Sequence, residues 1–208
     1  MEKIGAIILA AGGSSRMGQP KQLLRFRNQT LLRRTIEAAT AGGCSPVAVV
    51  VGSEPDRILA ELAETKEFLV KNPRWERGIG NSIRAGLRGV IEAYPKTEAI
   101  ILLACDQPFV DANAIAGLRA KATETKKPIV ASSYAQTLGI PALFARNYFD
   151  ALFALEDDAG AKKVILNHRN DVAEYPFPEG GIDIDTAEDY GRLCNDGRPG
   201  FSEAGSQR

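Results

Sequence analysis

Short, continuous runs of apolar residues alternate along the chain with segments whose apolar positions recur at the spacing of a helix. The runs predict strands at 4–9, 47–51, 68–70, 99–104 and 129–131, and the periodic segments predict helices at 30–41, 56–63 and 82–93. Beyond residue 131 the pattern is less regular, with extended segments predicted at 141–144 and 172–175 and helices at 148–155, 161–166 and 186–193. Strands without polar alternation are buried on both faces. We therefore expect an α/β fold, in which helices cover both faces of an open, mostly parallel sheet.

The first predicted strand leads directly into a glycine-rich loop that carries two cations. The loop runs through Leu9, Ala10, Ala11, Gly12, Gly13, Ser14, Ser15 and Arg16 to Gly18, Pro20 and Lys21. Glycines let successive backbone N–H groups approach an anion, and serine hydroxyls can donate further hydrogen bonds. Arg16 adds a planar guanidinium and Lys21 a point charge. An ordinary connecting loop is the alternative, but the two cations favour phosphate binding.

Two common nucleotide-binding signatures are not formed. A Walker A loop has its lysine directly after the last glycine, whereas Gly18 is followed by Gln19 and Pro20. The dinucleotide fingerprint G-x-G-x-x-G fails because Gly78-Ile79-Gly80 continues to Ile83. The glycine loop therefore belongs to a different class of phosphate-binding site.

Acidic residues stand at two places where a cation could bind. Asp106 follows a buried strand, and in open α/β sheets ligands bind at the carboxyl ends of the strands. An isolated aspartate there is usually a helix or turn cap. Beside a phosphate loop, however, Mg²⁺ is held by one or two carboxylates together with substrate phosphates. Asp183 and Asp185 share one side of an extended segment. Asp183 is interpreted as a solvated or turn-forming acid. Thr186 and Asp189 have the spacing of a capping box.

A polar, glycine-rich segment precedes the helix predicted at 82–93. It contains Asn72, Trp75, Gly78, Asn81 and Ser82. Such a composition is unusual for a simple crossover connection and indicates a binding loop. The alternatives are that Trp75 fills the core and that Ser82 is only the N-cap of the helix.

Composition limits the kind of partner. The 208 residues, 44% of them hydrophobic, suit one large domain, which we place at 1–194, with a polar and glycine-containing tail at 195–208. Lys plus Arg and Asp plus Glu balance at 26 each, so we expect small anionic partners and no nucleic acid. We expect no membrane association, because apolar stretches stay shorter than the ~20 residues of a membrane span. The N-terminal run is short for a secretory signal, so we expect a cytoplasmic protein.

Cysteine and histidine do not indicate a metal centre. Cys44, Cys105 and Cys194 lack metal-ligand spacing and are odd in number, so a disulfide framework is not expected either. His168 is the only histidine and is read as a surface residue without a catalytic role.

The motifs together resemble those of the MobA-like nucleotidyltransferases, and especially of the molybdenum cofactor cytidylyltransferases. The resemblance rests on L-A-A-G-G-S-S-R-M-G-Q-P-K in the glycine loop, on N-P-R-W-E-R-G with Ser82, on D-Q-P from Asp106 and on D-I-D-T from Asp183. It implies a three-layer, Rossmann-like nucleotidyltransferase fold. It also implies that Arg16, Lys21 and Asp106 are catalytic and that Asp106 and Asp185 hold Mg²⁺.

The resemblance further implies which residues meet the substrates. Nucleotide contacts would come from Leu9, Ala10, Ala11, Gly12, Gly13, Ser14, Lys21, Asn72 and Ser82. Acceptor contacts would come from Trp75, Gly78, Asn81 and Asp158.

The implied reaction transfers CMP from CTP to a phosphorylated acceptor, with molybdopterin favoured, and releases pyrophosphate. Ala11 is more similar to the cytidylyl than to the guanylyl branch. A GTP-dependent enzyme, or a sugar-phosphate or alditol-phosphate transferase, is the first alternative. A nucleotide-binding accessory protein without turnover is the second, and transient contact with molybdenum enzymes or their chaperones is a further expectation.

Three positions depart from the pattern of the resembled family. Ile140 stands where many relatives have histidine, and Asp157 where glycine is common, so acceptor contacts in this half are open. Asn28 replaces a glycine, and asparagine tolerates the left-handed conformation that glycine would adopt there.

Overall fold

The computed structural model describes residues 3–13, 17–62 and 68–196. Its centre is a sheet of seven strands, in the spatial order β5-β4-β1-β6-β8-β7-β9. These strands are β1 (Ile4–Ala10), β4 (Val47–Val51), β5 (Phe68–Lys71), β6 (Ala99–Ala104), β7 (Ile129–Tyr134), β8 (Thr137–Ala145) and β9 (Val172–Pro176). Strands β2 (Arg25–Phe26) and β3 (Gln29–Thr30) form a separate two-stranded ribbon.

Within the described sheet, strand β8 is the one that runs antiparallel to its neighbours. Strands β5, β4, β1 and β6 pair in parallel, as do β7 and β9, whereas β8 is antiparallel to both β6 and β7. The predicted mostly parallel α/β sheet is thus confirmed. The hairpin from β7 to β8 reverses the chain within the sheet, and the pairing register shifts between Ala131 and Ser132.

Helices cover both faces of the sheet. The α-helices are α1 (Leu31–Ala41), α2 (Pro55–Glu61), α3 (Ile79–Ala93), α4 (Ala112–Thr125), α5 (Phe149–Phe153), α6 (Ala161–Asn167) and α7 (Ala187–Asp196). Helix α7 continues two residues past the predicted domain boundary at 194, and residues 197–208 of the predicted tail lie outside the described residues. Within the described part of the chain, no helix is both long and apolar enough to cross a membrane.

Each sheet face has its own apolar core, because β1 and its neighbours alternate side chains between the faces. Ile8, Val49 and Ile101 pack on the side of α1, α2 and α4, whereas Ile7 and Leu102 pack on the side of α3, α5 and α6. A third, smaller cluster joins the β2–β3 ribbon to the C-terminal segment through Leu24, Phe26, Leu31, Ile184 and Leu193. This third cluster brings the segment after β9 back to the end of β1.

Some elements differ from the sequence-based expectation. Helix α4 was not predicted, because much of its length is alanine and its buried side contains only Ala114, Ile115 and Leu118. Helix α3 begins at Ile79 with Gly78 as its N-cap, so the interpretation of Ser82 as an N-cap is wrong. The hairpin strands are longer than predicted, since pairing between neighbours extends them into polar positions.

We predict that close packing of α3 on the sheet depends on Gly86. A Cβ at Gly86 would lie 2.5 Å from Ile7 Cγ2 and 2.7 Å from Val50 Cγ2. Gly86→Ala should lower the free energy of unfolding by about 1–3 kcal/mol through overpacking, as measured by urea denaturation. Gly191→Ala in α7 is the matched control, because its Cβ would meet nothing within 4 Å. The control should be neutral or stabilising by up to about 1 kcal/mol. A Gly86→Ala protein as stable as the control would contradict this packing.

Candidate active site

The glycine loop lies at the carboxyl end of β1, between β4 and β6 in the central sheet. Ala10 and Ala11 are buried, whereas Gly12 and Gly13 are exposed to solvent. Ser14 and Arg16, both predicted to bind the nucleotide or its phosphates, lie outside the described residues. The described part of the loop therefore presents glycine backbone at the edge where ligands of open α/β sheets bind.

Gln22 fixes this loop from behind, a role that the sequence did not predict. Its side chain is 1% exposed, and its Nε2 donates to the carbonyl oxygens of Ala10 at 2.8 Å and Gly12 at 2.9 Å. Two carbonyls of the loop are thereby turned toward the protein interior. A glutamine next to Lys21 is common on protein surfaces, so the sequence gives no signal that Gln22 is buried and binds the loop.

Lys21 joins two carboxylates from distant parts of the chain. Its ammonium is hydrogen-bonded to Asp106 Oδ2, and it lies 3.2 Å from Asp185 Oδ1. The side chains of Lys21 and Asp106 are 18% and 19% exposed, whereas that of Asp185 is 50% exposed. The structure thus brings together three predicted site residues around one point at the mouth of the sheet.

The charge of Lys21 is maintained by its partners. Burial alone would lower the pKa of Lys21, but attraction to Asp106 and the hydrogen bonds to Asp106 and Asp185 outweigh burial and raise it. Lys21 therefore stays protonated at neutral pH, so the cluster contains a cation that can neutralise carboxylates or phosphates.

Asp183 is a third carboxylate beside this pair. Partial burial raises the pKa of Asp183 to about 6, and repulsion from Asp106 and Asp185 adds to the effect, while Lys21 opposes it. Asp183 is exposed, in agreement with its interpretation as a solvated acid, and it also belongs electrostatically to the cluster. An added cation would relieve this repulsion.

The segment that carries Asp183 and Asp185 is held in place on both sides. Ile184 is buried in the third apolar cluster, and its N–H donates to the carbonyl oxygen of Asp106 at 3.0 Å. Asp189 accepts from the N–H of Thr186 at 2.8 Å, and its own N–H donates to Thr186 Oγ1 at 3.1 Å, which is the geometry of a capping box. The hydroxyl of Thr186 and the guanidinium of Arg192 lower the pKa of Asp189 to about 2.

Gln107 links the same segment to β8. The side chain is 4% exposed, and its Nε2 donates to the carbonyl oxygens of Gly180 at 2.7 Å and Ile140 at 3.0 Å. The hydroxyl of Tyr134 donates to Ile140 as well, at 3.0 Å. The residue after Asp106 therefore fixes the position of both neighbouring chain segments.

The side chain of Trp75 packs against the glycine loop. A Cβ on Gly13 would lie 2.6 Å from Trp75 Cη2, and one on Gly52 would meet Trp75 Cγ. The indole thus packs on backbone at the ends of both β1 and β4, and it also contacts the apolar core beneath α3. Trp75 therefore lines the cavity and also contributes to the core, while its contact with a substrate stays a prediction.

Asn72 and Ser82 form a buried polar pair behind the loop. They are 3% and 5% exposed, and Asn72 Nδ2 donates to Ser82 Oγ at 3.0 Å. Asn72 Oδ1 also accepts from the N–H of Arg74 at 3.1 Å. Ser82 borders the site cavity, whereas Asn72 fixes the turn that leads to Trp75.

The loop after α5 packs on the start of α3. The carbonyl oxygen of Asp157 accepts from the N–H of Gly80 at 2.8 Å and Asn81 at 3.3 Å. The Asp157 carboxylate pairs with Arg77 Nε at 2.5 Å and with Arg84. Asp157, where relatives commonly have glycine, therefore has a structural function here. Asp158 is exposed, with its backbone against Gly78.

A cavity of about 330 Å³ is lined by most of the predicted site residues that the structure describes. Its walls include Leu9, Ala11, Gly12, Lys21, Trp75, Gly78, Ser82 and Asp106. Ala10, Gly13, Asn72, Asn81, Asp158 and Asp185 do not line it, although Asp185 contacts Lys21 and Gly13 contacts Trp75. His168 lies elsewhere, edge-on to Tyr148 with ring centroids 5.0 Å apart.

The carboxyl edge of this α/β sheet carries a glycine loop, a largely buried lysine and converging carboxylates. This combination is typical of enzymes that bind nucleoside triphosphates. The family comparison agrees with this class. Residues 6–172 match the MobA-like NTP transferase domain, and the chain belongs to that family. The predicted family resemblance is thereby confirmed.

Individual relatives have different names. Nicotine blue oxidoreductase of Paenarthrobacter nicotinovorans is 27% identical over 203 residues, covering 91% of this chain and 96% of that protein. A probable molybdenum cofactor guanylyltransferase of Synechococcus elongatus is 39% identical over 118 residues, covering 55% of each. The crystal structure of Rv0371c from Mycobacterium tuberculosis superposes with a TM-score of 0.80 and 32% identity, over 93% of this chain and 97% of that one.

A second crystal structure of Rv0371c is a complex with manganese. It superposes with a TM-score of 0.76 and 29% identity, over 93% of this chain and 99% of that one. Among the residues described here, no group of three or more His, Cys, Asp or Glu side chains forms a metal centre by protein ligands alone.

We predict that Asp183 destabilises the metal-free protein at neutral pH. The unfolded chain releases this proton near pH 4 and the folded chain near pH 6, so the folded state binds more protons between these values. Stability should therefore fall as pH rises through that window. In EDTA at pH 8, Asp183→Asn should melt about 2–4 °C above wild type, or about 1 kcal/mol after discounting for solvent screening.

The difference in melting temperature between Asp183→Asn and wild type should disappear below about pH 4, where the Asp183 carboxyl group is neutral in both the folded and the unfolded state. Glu92→Gln, an exposed acid in α3 away from the cluster, is the control and should show no such pH dependence. Equal melting temperatures of Asp183→Asn and wild type at pH 8 would contradict the electrostatic coupling.

Proposed function

We propose that the protein is a divalent-metal-dependent nucleotidyltransferase that moves a nucleotidyl group, with CTP as the favoured donor, to the phosphate of a small acceptor. Molybdopterin is the acceptor that the family resemblance favours, and pyrophosphate is the second product. The observation that carries the proposal is the convergence of Lys21, Asp106 and Asp185 beside the glycine loop. Phosphoryl-type transfer needs positioning and charge neutralisation, which these groups can supply.

The donor set fits a hard divalent cation. Asp106 and Asp185 reach the same ammonium from separate segments, so a small divalent cation can take its place between them. Two carboxylates with substrate phosphates are a usual set for Mg²⁺. When bound, the cation supplies charge neutralisation at the reacting phosphate oxygens.

Lys21 has a double function in this proposal. Without substrate, its ammonium neutralises Asp106 and Asp185, and with nucleotide bound it turns to the triphosphate. The backbone N–H groups at Gly12 and Gly13, together with Arg16, hold the remaining phosphate oxygens. Because the glycine backbone is held by Gln22, the donors are arranged before substrate binds.

The chemical step requires no protein base. An ionised oxygen of the acceptor phosphate attacks the α-phosphorus in line and forms a new P–O bond. The bond from the α-phosphorus to the bridging oxygen breaks, and pyrophosphate leaves with that electron pair. Lys21 and Arg16 neutralise the charge that develops on the leaving group.

The proposed preference for cytosine rests on Ala11. Ala11 is 4% exposed, and its methyl group lies in the wall of the 330 Å³ cavity. Its volume narrows the space for a large base, which favours cytosine. The Synechococcus relative named as a guanylyltransferase makes GTP the leading alternative donor.

Two alternatives differ in the kind of activity. An accessory protein without turnover has no need for Lys21 between two carboxylates, and this arrangement therefore favours an enzyme. The name of the Paenarthrobacter relative, which matches over 96% of its length, makes an oxidoreductase activity the second candidate. Release of pyrophosphate distinguishes nucleotidyl transfer from both.

We predict that pyrophosphate is released fastest from CTP when Mg²⁺ and molybdopterin are both present. The test measures release from all four nucleoside triphosphates with and without the acceptor. Lys21→Ala and Arg16→Ala should each lower the rate at least about tenfold, or about 1.4 kcal/mol of barrier, at saturating Mg²⁺. The reason is that each variant loses a charge that stabilises the leaving pyrophosphate.

Lys163→Ala is the matched control, because Lys163 pairs with Glu156 at 2.8 Å and lies outside the site. Its rate and melting temperature should equal those of wild type. Wild-type rates in both loop variants, or the absence of pyrophosphate release with every triphosphate and the acceptor, would overturn the proposed function.

A further inference from the structure

A cavity of about 740 Å³ lies at the edge of the sheet opposite to the glycine loop, and we name it the amino-edge cavity. Its walls include Ile4 and Ala99, the first residues of β1 and β6, and Leu143 and Ala145 near the end of antiparallel β8. It has more than twice the volume of the cavity at the glycine loop. The seven residues of β1 span roughly 20 Å between the two edges, so this cavity is separate from the candidate active site.

Helix α4 leaves this space open because its second half lacks large apolar side chains. The first half of the helix packs on the sheet through Ala114, Ile115 and Leu118. The residues after Leu118 are arginine, lysine, threonine, glutamate and two alanines. Ala120 and Ala122 line the cavity from the side of the helix. Small methyl groups on the helix and aliphatic side chains on the sheet therefore give the cavity an apolar interior.

Three cations border the same cavity. They are Arg119 in α4 and the two lysines that follow this helix, Lys126 and Lys127. None of the three forms an ion pair with a residue that the structure describes, although Arg119 and Lys127 donate to backbone carbonyls. Glu98 is the one acid among the described lining residues. The wall of the amino-edge cavity therefore carries a net positive charge.

Arg119 adds a hydrogen-bond donor that lacks an acceptor. One terminal nitrogen of its guanidinium donates to the carbonyl oxygen of Gly42 at 2.5 Å. Its Nε is buried and has no hydrogen-bond partner among the described residues. A buried donor without a partner is unfavourable, so a ligand oxygen that accepted from this guanidinium would stabilise the protein.

The two lysines keep their charges available to a ligand. Lys126 is exposed and ends α4 in the left-handed conformation, with a φ of +56°, where glycine or asparagine is usual. The ammonium of Lys127 donates to the carbonyl oxygen of Asn170 at 2.6 Å, and a neutral carbonyl does not cancel its charge. Both ammonium groups can therefore attract an anion at the rim of the cavity.

We propose that the amino-edge cavity binds a small amphiphilic anion, in which an oxyanion head group is joined to an aliphatic body. Arg119, Lys126 and Lys127 meet the head group, and the apolar interior receives the body. The volume lies within the range of about 300–1,000 Å³ that is usual for small-molecule sites. Among the described lining residues there is no aromatic ring on which a nucleobase could stack, which favours an aliphatic ligand over a second nucleotide. This inference does not depend on the proposed function.

Calorimetry with the full chain tests both parts of the ligand, with three probes kept below the concentrations at which they form micelles. The probes are decanoate, hexanoate and decyltrimethylammonium. One decanoate should bind per chain, at least tenfold more tightly than hexanoate, because it buries four more methylene groups. Decanoate should also bind at least tenfold more tightly than decyltrimethylammonium, which has a similar chain and the opposite charge. Equal affinity in either comparison would overturn the proposal, and neither comparison needs a variant.

Two variants then locate the binding. Lys126→Gln combined with Lys127→Gln should weaken decanoate at least fivefold, because two attractive charges are removed at exposed positions. Ala120→Phe should weaken it at least tenfold by filling the cavity from an exposed position on α4. Lys121→Gln is the matched control, since Lys121 lies on the same helix but pairs with Glu124 and does not line the cavity. Unchanged decanoate binding in the lysine variant, or in an Ala120→Phe protein with normal melting temperature, would overturn the assignment to this cavity.

Two further measurements exclude other occupants. CTP with Mg²⁺ should bind the decanoate-saturated protein as tightly as the free protein, because the two cavities share no described residue in their walls. CTP that displaced decanoate would make the cavity a nucleotide site and overturn the proposal, whereas failure of CTP to bind at all would contradict only the proposed function. Sedimentation should give the same oligomeric state with and without decanoate. A dimer that decanoate or Ala120→Phe dissociates would show that a second copy of the chain covers the cavity, and would also overturn the proposal.

Discussion

The contact of one ammonium with two carboxylates organises the carboxyl edge of this sheet. Lys21 follows the glycine loop, Asp106 follows β6, and Asp185 belongs to the segment that returns after β9. Like-charged carboxylates repel at short distance, and a cation between them removes this repulsion. Lys21 supplies that cation in the free protein. Removal from water is the main cause that raises the pKa of the nearby Asp183, and repulsion from Asp106 and Asp185 adds to it despite Lys21.

The rest of the fold keeps these groups in place while leaving the glycine backbone accessible. Gln22 binds the loop carbonyls from below, Trp75 packs against Gly13, and Gln107 ties the residue after Asp106 to β8 and to Gly180. These contacts are buried or partly buried and involve few mobile side chains. A site held in this way can exchange a lysine for a metal and phosphates without rearranging the sheet, which is the basis of the proposed catalysis.

Sequence patterns predicted the parts that depend on local chemistry. Strands 47–51 and 99–104 were predicted with their observed bounds, because uninterrupted apolar runs end there at turn residues. The antiparallel direction of β8 could not be read from its residues, since strand direction depends on pairing with β6 and β7. Gln22 was not singled out, and Gln107 was noted only as part of the D-Q-P motif, because the contacts of a glutamine cannot be predicted until its neighbours in the fold are known. The prediction that Asp106 and Asp185 lie close together came from the family resemblance and not from their spacing. The contacts that these carboxylates make could be described only from the folded chain.

The central claim is that Asp106 and Asp185 form a cation site that Lys21 occupies in the free protein and leaves when nucleotide binds. Anomalous diffraction from a crystal of the protein with CTP and Mn²⁺ tests it most directly. The account predicts a manganese peak within bonding distance of Asp106 and Asp185, at about 2.0–2.4 Å as for other hard divalent cations, with Lys21 Nζ on the phosphates. A bound triphosphate with Lys21 still between the two carboxylates, or manganese bound elsewhere, would contradict it.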